Sequence, residues 1–526
     1  SAPHRELALE AARRSIVLLK NEGGLLPLRK DLATVAVIGP NADDVETLLG
    51  NYNGTPVDPV TPLRGIRDKL GTADRVLYAP GCDWAENVPL LSVVPASALR
   101  TGPEPGSAPG LKAEYFGNRD FKGAPVLIRT DPAVDFNWWD GAPLPGIDDD
   151  DFSVRWTGRL VPPSSGAYWL GGEGFNGFQV RLEDGLVASY NGSHQPEKRY
   201  GPVRLEAGRP YKLSVEFSHR SSDAFMRLLW AVPATDPVRE AVETAGRADA
   251  VVLVLGLSPR LEGEEMSVPV EGFAGGDRLS LDLPRVQEEL LGAVLATGKP
   301  VVLVLLNGSA LAVNRAAASV PAIVEAWYPG QAAGTALADI LFGDANPSGR
   351  LPVTFYKSVA DLPPFGEYRM TGQTYRYFRG EPLFPFGHGL SYTQFEYADL
   401  RMPAAVDAGA EIAVSVDVRN AGFRVGDEVV QLYVSDLDAS VPVPVRSLQG
   451  CRRVHLQPGE SRTVHFTLSP KALSLVAADG RRVVEPGLFE IAVGGKQPGF
   501  AGLADAATTG VLTGRVEVRS RPFRLE

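Results

Sequence analysis

The chain has 526 residues, which is too long for one hydrophobic core and predicts three or four domains. With 44% apolar and 22% charged residues it has the composition of a globular protein, and its 56 glycines and 43 prolines favour loop-rich β structure. The formal net charge of −11 argues against nucleic acid and against an anionic membrane as partners, because both bind basic patches.

Two further observations narrow the class of protein. No apolar run approaches the length of about 18 residues that a membrane-spanning helix requires. The sequence does not identify the cellular compartment of the protein. The two cysteines, Cys82 and Cys451, lie far apart in segments that we assign to different domains. We therefore expect no disulfide framework.

Helix and strand alternate in the first part of the chain. The spacing of apolar residues predicts a helix over residues 7–19, which the glycines after Glu22 would end. The short apolar runs at Val35–Ile38 and at residues 75–78 predict buried strands, and glycine follows each within a few residues. This rhythm is typical of an α/β domain.

A different pattern begins after these strands. Residues 95–110, PASALRTGPEPGSAPG, have the composition of a linker, because bulky apolar residues are almost absent. Residues 111–233 then alternate apolar and polar side chains between Gly and Pro turns, as in FSVRWTG and YKLSVEF. This alternation predicts a β-sandwich.

Helix and strand alternate again after Asp236. The run VVLVL at residues 251–255 is apolar without alternation, as in a strand buried on both faces of a parallel sheet. Residues 286–296 follow as an amphipathic helix, and Val301–Leu306 and residues 323–327 as further buried strands. We therefore predict one α/β domain with a mainly parallel sheet, into which the sandwich is inserted.

The loop after the VVLVL strand is rich in acidic side chains. It leaves the carboxyl end of that strand, where open α/β sheets place their ligand sites. On composition alone, a solvated acidic loop is the commoner explanation of such a cluster. Its charged residues are Glu262, Glu264, Glu265, Glu271, Asp277 and Arg278.

Several motifs resemble glycoside hydrolase family 3. They are SIVLLKNEGGLLPL with VAVIGPNAD near the start, LEGEEM with VEGFAGGDR and LSLDLP in the acidic loop, then AWYPGQAAG, FGDANPSGRLPVTF and FPFGHGLSYTQF. The resemblance implies the α/β sandwich domain that follows the family's barrel. It also implies that the LEGEEM loop carries the catalytic acid/base glutamate.

We expect Glu264 to be that acid/base, because family members tend to show Gly-Glu at this point before Gly-Asp-Arg. A retaining glycosidase needs one carboxyl group that attacks the anomeric carbon and one that protonates the departing oxygen. Like charges beside an acid help it to keep its proton, and Glu262 and Glu265 flank Glu264. Glu262, Glu265 and Glu271 are the alternatives for this role, and we expect Glu262 and Glu265 to contact substrate.

The two all-β regions resemble accessory domains of the same family. GLKAEYFGN, FSVRWTGRLVPPSSGAYWL and MRLLWAVP resemble the protective-antigen-type sandwich that some members carry as an insertion, which implies carbohydrate contact. Phe175 is our first candidate for stacking on a sugar, because GGEGFNGF looks more like loop than strand. SLQGCRRVHLQPGESRTVHFTL and EPGLFEIAVGG resemble a fibronectin type III-like domain, in which we expect the Cys451 thiol to be buried.

The predicted architecture is therefore a multidomain α/β plus all-β protein. An α/β sandwich with a mainly parallel sheet is interrupted by a β-sandwich and followed by a fibronectin type III-like β-sandwich. The predicted bounds are 1–104 and 236–397 for the α/β domain, 105–235 for the insertion and 398–526 for the last domain. The resemblance begins where the family's second domain begins, so the nucleophilic Asp would come from a barrel domain or a second polypeptide.

The predicted activity is that of the acid/base-bearing part of a retaining, exo-acting β-glucosidase. Its partner would be a β-linked oligosaccharide or glucoside. The resemblance implies no metal or organic cofactor. The acidic run at residues 148–151 is better explained as a solvated loop than as a calcium site. A β-xylosidase or another β-glycosidase of the family is one alternative. A non-catalytic carbohydrate-binding module is the other. The oligomeric state, a homo-oligomer included, stays open.

Overall fold

We describe the fold from a computed structural model of the chain. The described residues are 1–71, 73–104, 106–139, 141–192, 197–221, 223–233, 236–264, 266 and 268–525. The chain forms two compact units, one made of Ser1–Val88 with Pro237–Glu526 and the other of Pro89–Asp236.

The helices and strands, in chain order, are as follows. The helices are α1 Ala2–Ser15, α2 Pro62–Leu70, α3 Pro237–Gly246, α4 Arg285–Leu295, α5 Asn314–Ser319, α6 Ala333–Leu341 and α7 Thr374–Tyr377. The strands before the insertion are β1 Val17–Asn21, β2 Val35–Ile38 and β3 Val76–Ala79. Those of the second unit are β4 Ser92–Val93, β5 Leu99–Arg100, β6 Leu111–Phe116, β7 Leu127–Asp131, β8 Asp135–Trp139, β9 Phe152–Leu160, β10 Gly166–Phe175, β11 Gly177–Leu182, β12 Gly185–Tyr190, β13 Glu197–Leu205, β14 Tyr211–His219 and β15 Ala224–Ala231.

The remaining strands lie after the insertion. In the α/β region they are β16 Ala250–Gly256, β17 Phe273–Ala274, β18 Asp277–Arg278, β19 Val301–Leu306 and β20 Ala322–Glu325. In the C-terminal region they are β21 Phe395–Arg401, β22 Ala405–Asp407, β23 Ile412–Asn420, β24 Gly426–Asp436, β25 Ser447–Leu456, β26 Ser461–Leu468, β27 Leu475–Val476, β28 Arg482–Val484, β29 Gly487–Gly494, β30 Val511–Arg519 and β31 Phe523–Arg524.

A six-stranded sheet organises the first unit, in the order β1-β20-β19-β16-β2-β3. Its strands are parallel except β1, which pairs antiparallel with β20 at one edge. Every residue of β16 and β19 is buried, because helices cover both faces of the sheet. One core contains residues of α3, α4 and α5, and the other contains residues of α1, α2 and α6. The predicted mainly parallel α/β sheet is confirmed.

The first helix begins and ends earlier than its apolar spacing predicts. We expected a helix over residues 7–19, but α1 ends at Ser15 and Ile16 is extended. The next residues form β1, whose Val17 pairs with Glu325 of β20. The prediction of helix was wrong here because the sheet edge offers partners to the apolar run that follows Ser15, and tertiary pairing overrides local periodicity.

The second unit is a β-sandwich. One sheet has the order β13-β10-β15-β4 with β8 on β15, and the other has the order β12-β11-β14-β9-β6-β7 with β5 on β9. The linker interpretation of residues 95–110 was wrong in part, because Leu99 is fully buried and β5 pairs with β9. The expectation that GGEGFNGF forms a loop was also wrong. Phe175 is the last residue of β10, is only 9% exposed and pairs with Phe225 of β15.

The C-terminal region packs two sheets, β21-β23-β26 and β22-β30-β29-β24-β25, around one core. Their strands pair antiparallel except β22, which runs parallel to β30. In this sandwich the expected buried thiol was wrong: Cys451 is exposed, because it occupies an outward position of β25 opposite Gln431. Arg350, which follows α6 in the α/β region, reaches Glu428 of β24 at 2.7 Å, and both side chains are buried. This ion pair joins the α/β region to the C-terminal sandwich.

Among the described residues, no helix combines the length and apolar character that crossing a membrane requires. Both cysteines are free thiols. Burial raises the pKa of the Cys82 thiol well above its ordinary value.

Candidate active site

The acidic loop connects β16 to α4 at the carboxyl edge of the parallel sheet. Gln287 of α4 fixes its starting point, because its side chain bonds both the N–H and the carbonyl of Gly256, each at 2.8 Å. The next residue is fixed by Asn41, whose amide donates to the carbonyl of Leu257 at 2.8 Å. The loop therefore leaves the sheet from a rigid base.

Two segments of the loop lie directly against each other. Gly276 has a φ of +89°, and a Cβ on it would lie 1.8 Å from the carbonyl oxygen of Gly263. Only glycine fits this approach. The N–H of Met266 also donates to the carbonyl of Gly275 at 2.8 Å. The Gly-Gly of the GFAGGDR motif thus allows the hairpin β17–β18 to pack on the LEGEEM segment.

Glu262 lies in a cradle of hydrogen-bond donors. Its Oε1 accepts the N–H of Gly308 and the hydroxyl of Tyr328, each at 2.6 Å. The hydroxyl of Ser309 bonds its other oxygen. Gly308 and Ser309 follow β19, and Tyr328 follows β20, so three neighbouring parallel strands converge on one carboxylate. All three partners donate hydrogen bonds to Glu262, as expected for a carboxylate that anchors the loop.

Two arginines reinforce this anchor. Arg278 donates to the hydroxyl of Ser309 at 3.0 Å and to the carbonyl of Ala310 at 2.9 Å. Burial lowers the pKa of this guanidinium, and the negative charge of Glu262 opposes that effect. On the other side, Arg260 forms an ion pair with Glu46 at 3.0 Å. The loop is therefore tied to the body of the domain on both sides of Glu262.

Glu264 has different surroundings from Glu262 although only Gly263 separates them. Its side chain is exposed, and the partner that reaches it is the hydroxyl of Tyr52, a residue that is itself 83% exposed. A carboxyl group in this position can reach a molecule that approaches from solvent. The sequence pattern gave no sign of Tyr52, because it lies in a loop far away along the chain.

Two of the other predicted site residues, Glu271 and Phe175, lie in described parts of the chain. Glu271 is exposed in the described part of the loop. Glu265 lies outside the described residues. Phe175 belongs to the second compact unit, where it is mostly buried at the end of β10. The sugar contact expected of Phe175 and Glu265 stays a prediction.

A second, deeper carboxyl group lies beneath the cradle. Glu325 is the last residue of β20 and is 0% exposed. Its Oε1 accepts the N–H of Trp327 at 2.8 Å, and its Oε2 accepts the side-chain amide of Asn307 at 3.1 Å. Burial raises the pKa of Glu325 well above its ordinary value, and the charge of Glu262 raises it further.

Sequence reasoning missed Glu325, Asn307, Ser309 and Tyr328. AWYPGQAAG was recognisable as a family motif, but its tyrosine had no assigned role. The one available signal was that Asn307 directly follows β19 and Glu325 ends β20, at the carboxyl edge of the sheet where ligand sites form. In the described ranges, no group of three or more His, Cys, Asp or Glu side chains could hold a metal ion.

Comparisons with known proteins show which family models match the chain. The model of the glycosyl hydrolase family 3 C-terminal domain matches residues 16–392, and the model of a fibronectin type III-like domain matches residues 428–497. The acidic loop and all three strands that form the cradle lie inside the first match.

Individual relatives match nearly the whole chain. A xylan 1,4-beta-xylosidase of Xylanibacter ruminicola is 36% identical over 492 residues, which covers 93% of this chain and 56% of the relative. A beta-glucosidase of Rhizobium radiobacter is 33% identical and covers 93% of this chain and 60% of the relative. The crystal structure of a beta-glucosidase from Kluyveromyces marxianus in complex with glucose matches with a TM-score of 0.74 and 29% identity, over 100% of this chain and 63% of that chain. The chain therefore spans less than two thirds of the length of these proteins.

Proposed function

The chain belongs to glycosyl hydrolase family 3, and from this premise we propose that it is the acid/base-bearing part of a retaining, exo-acting β-glycosidase. The observation that carries the proposal is the pair of glutamates in the LEGEEM loop. Glu262 is bound by three donors, whereas Glu264 is exposed at the carboxyl edge of the sheet. One glutamate anchors the loop, and the other is presented to solvent.

In the first step of the proposed reaction, the carboxyl proton of Glu264 passes to the departing glycosidic oxygen. The bond between that oxygen and the anomeric carbon breaks as a nucleophilic carboxylate bonds to the carbon. In the second step, the Glu264 carboxylate takes a proton from water, whose oxygen displaces the nucleophile and releases the sugar. The nucleophile would be an Asp of a barrel domain, carried by the same polypeptide or by a partner.

The rigid mounting of the loop supports this assignment. A general acid must lie within hydrogen-bond reach of the atom that it protonates, and small displacements lower its efficiency. Arg260 ties the loop to Glu46. Glu262 and Arg278 tie it to the segment that follows β19, and Glu262 also ties it to the segment that follows β20. Glu262 would then support the acid/base, and its contact with substrate remains part of the proposal together with that of Glu265.

For the sugar, we propose a terminal β-D-glucosyl residue, with a β-xylosyl residue as the alternative. The names of the relatives support both, since they include a xylan 1,4-beta-xylosidase at 36% identity and a beta-glucosidase at 33%. The complex of the Kluyveromyces marxianus enzyme contains glucose. The two sugars differ by the hydroxymethyl group on C5, so a comparison of rates separates the two proposals.

We also propose the domain assignment 1–88 and 237–397 for the α/β domain, 89–236 for a protective-antigen-type insertion and 398–526 for the fibronectin type III-like domain. The first boundary moves from the predicted 104/105 to 88/89, because β4 and β5 pair with strands of the second unit. The motifs GLKAEYFGN and MRLLWAVP support the name of the insertion. The same modules would also suit a non-catalytic carbohydrate-binding protein. The cradle around Glu262 favours the enzyme, because a binding module has no need of a rigidly mounted acidic loop.

The test is hydrolysis of aryl β-glucosides and aryl β-xylosides by the natively purified protein, with its intact mass measured in parallel. The proposal predicts that activity accompanies a barrel-bearing polypeptide and favours one of the two sugars at least about tenfold in kcat/KM. A preparation that binds glycosides and hydrolyses neither, with the barrel present, would support the binding-module alternative.

A further inference from the structure

The cradle of Glu262 has two arms. The first is the segment 307–309 after β19, which supplies the N–H of Gly308 and the hydroxyl of Ser309. The second is the segment 327–328 after β20, which supplies the hydroxyl of Tyr328. These arms come from different strands, and they reach Glu262 together only if something fixes their separation.

Glu325 accepts a hydrogen bond from each of the two arms. Its Oε2 accepts the amide of Asn307 at 3.1 Å, and the same amide donates to the carbonyl of Ser309 at 2.8 Å. Its Oε1 accepts the N–H of Trp327 at 2.8 Å. One buried carboxyl group therefore fixes the first arm through a side chain and the second arm through the backbone.

The second arm has a backbone that requires this support. Trp327 has a φ of +62°, in the left-handed region that bulky residues rarely adopt. Such a conformation persists only where surrounding contacts hold it. The bond from its N–H to Glu325 is one contact, and the bond from its indole to the carbonyl of Ser15 at 3.1 Å is another. The turn directs the next residue, Tyr328, toward Glu262.

We infer that Glu325 is a positioning residue for the proposed acid/base. It holds the two arms of the cradle, the arms hold Glu262, and Glu262 holds the loop that carries Glu264. This inference rests on the proposed function, since Glu264 is the group that is positioned. Glu325 does not touch the substrate. In the described part of the chain it forms no ion pair with a basic side chain, so electrostatic compensation does not explain a fully buried carboxyl group at this point.

The experiment compares Glu325→Gln with the unmodified protein by amide hydrogen exchange. Glutamine has the same shape, but its NH2 group must face either the N–H of Trp327 or the amide of Asn307, so one arm loses its acceptor. The reporters are the amides of Gly308 and Met266, which do not bond Glu325 and which report on the cradle and the loop. We expect both to exchange about tenfold faster, as the loss of one hydrogen bond implies.

Glu428→Gln is the matched control. Glu428 is also 0% exposed but lies at the junction with the C-terminal sandwich, so its substitution loosens the protein without touching either arm. Exchange at Gly308 should be faster in Glu325→Gln than in Glu428→Gln. Equal exchange at Gly308 in the two variants and in the unmodified protein would overturn the inference.

A second variant tests the inference if Glu325→Gln does not fold. Asn307→Ala cuts only the first arm, so the Gly308 amide should exchange faster while the Trp327 amide stays protected. Full protection of Gly308 in Asn307→Ala would overturn the inference as well.

A kinetic measurement separates this inference from the proposed function. With the barrel present, Glu325→Gln should lower kcat for a substrate with a poor leaving group about tenfold and change KM less than about threefold. If exchange at Gly308 rises but Glu264→Gln leaves turnover unchanged, the cradle is confirmed and the role of Glu264 is wrong. If Glu264→Gln abolishes turnover but Glu325→Gln changes neither exchange nor kcat, the positioning role is wrong.

Discussion

Tyr328 donates a 2.6 Å hydrogen bond to the carboxylate of Glu262 from the turn that follows the neighbouring strand. Burial and the charge of Glu262 raise the pKa of the Tyr328 hydroxyl well above its ordinary value, so this donor keeps its proton throughout the neutral range. This hydrogen bond joins two segments of the chain that lie far apart in sequence.

Removal of this hydroxyl in Tyr328→Phe should destabilise the protein by about 1–2 kcal/mol, because one buried hydrogen bond to a charged group is lost. Urea denaturation measures this difference. Tyr368→Phe is the matched control, since Tyr368 is 91% exposed and its substitution should change stability by less than about 0.5 kcal/mol. Equal effects of the two substitutions would contradict the importance of the cradle.

The two glutamates of the loop should respond differently to the same substitution. Glu262→Gln places an NH2 group among donors and should cost about 1–3 kcal/mol of folding stability, because one buried donor loses its acceptor. Glu264→Gln alters an exposed side chain and should change stability by less than about 0.5 kcal/mol. The midpoints of urea unfolding check both values. A larger loss for Glu264→Gln than for Glu262→Gln would reverse the roles that we assign.

The ion pair between Arg350 and Glu428 should contribute far more to folding stability than an ion pair on the surface. Glu428 also accepts the hydroxyls of Tyr397 at 2.8 Å and of Thr509 at 2.6 Å. Removing one partner of a buried pair leaves an uncompensated charge and costs about 3–5 kcal/mol. We therefore expect Glu428→Ala to lower the free energy of unfolding by that amount.

The exposed pair of Arg519 and Glu517 provides the control, because Glu517→Ala should change stability by less than about 1 kcal/mol. Guanidinium denaturation of the two variants checks the contrast. A loss below about 1 kcal/mol for Glu428→Ala would show that water reaches the junction.

His388 should make stability depend on pH. It is buried, it bonds the carbonyl of Leu19 at 3.0 Å, and burial lowers its pKa to about 4. Because the folded pKa lies below the ordinary value of about 6.5, the unfolded chain binds the proton first as pH falls. Stability should therefore decrease between about pH 6.5 and pH 4 by about 3 kcal/mol from this group.

His388→Gln removes the titration while it keeps a donor for Leu19. The difference in unfolding free energy between the unmodified protein and this variant should shrink as pH falls from 7 to 4.5. A difference that does not change with pH would contradict a neutral, buried His388.

The sequence predicted the elements whose cause is local. The strands β2 and β19 match the predicted apolar runs residue for residue, because strands buried on both faces need apolar residues throughout. Elements that depend on distant partners were not predictable in this way. The strand β1 exists because β20 offers it an edge, and Cys451 is exposed because of the register of β25.

The same distinction applies to the candidate site. The acidic loop was recognisable, since its glutamates and glycines are contiguous in sequence. The cradle was not, because Glu262, Ser309 and Tyr328 come from three separate segments that only the parallel sheet brings together. No local pattern distinguishes the anchoring glutamate from the exposed one two residues later.

The most direct test of the account is to measure how the activity of Glu264→Gln depends on the leaving group of the substrate, with the barrel-bearing polypeptide present. Proton donation matters most for a poor leaving group such as an alkyl alcohol and least for a nitrophenol. We predict a loss of at least about 100-fold in kcat/KM for alkyl β-glycosides and a much smaller loss for nitrophenyl β-glycosides, with Glu271→Gln close to the unmodified enzyme. An equal loss for both leaving groups, or full activity of Glu264→Gln, would contradict the role of Glu264 as the acid/base.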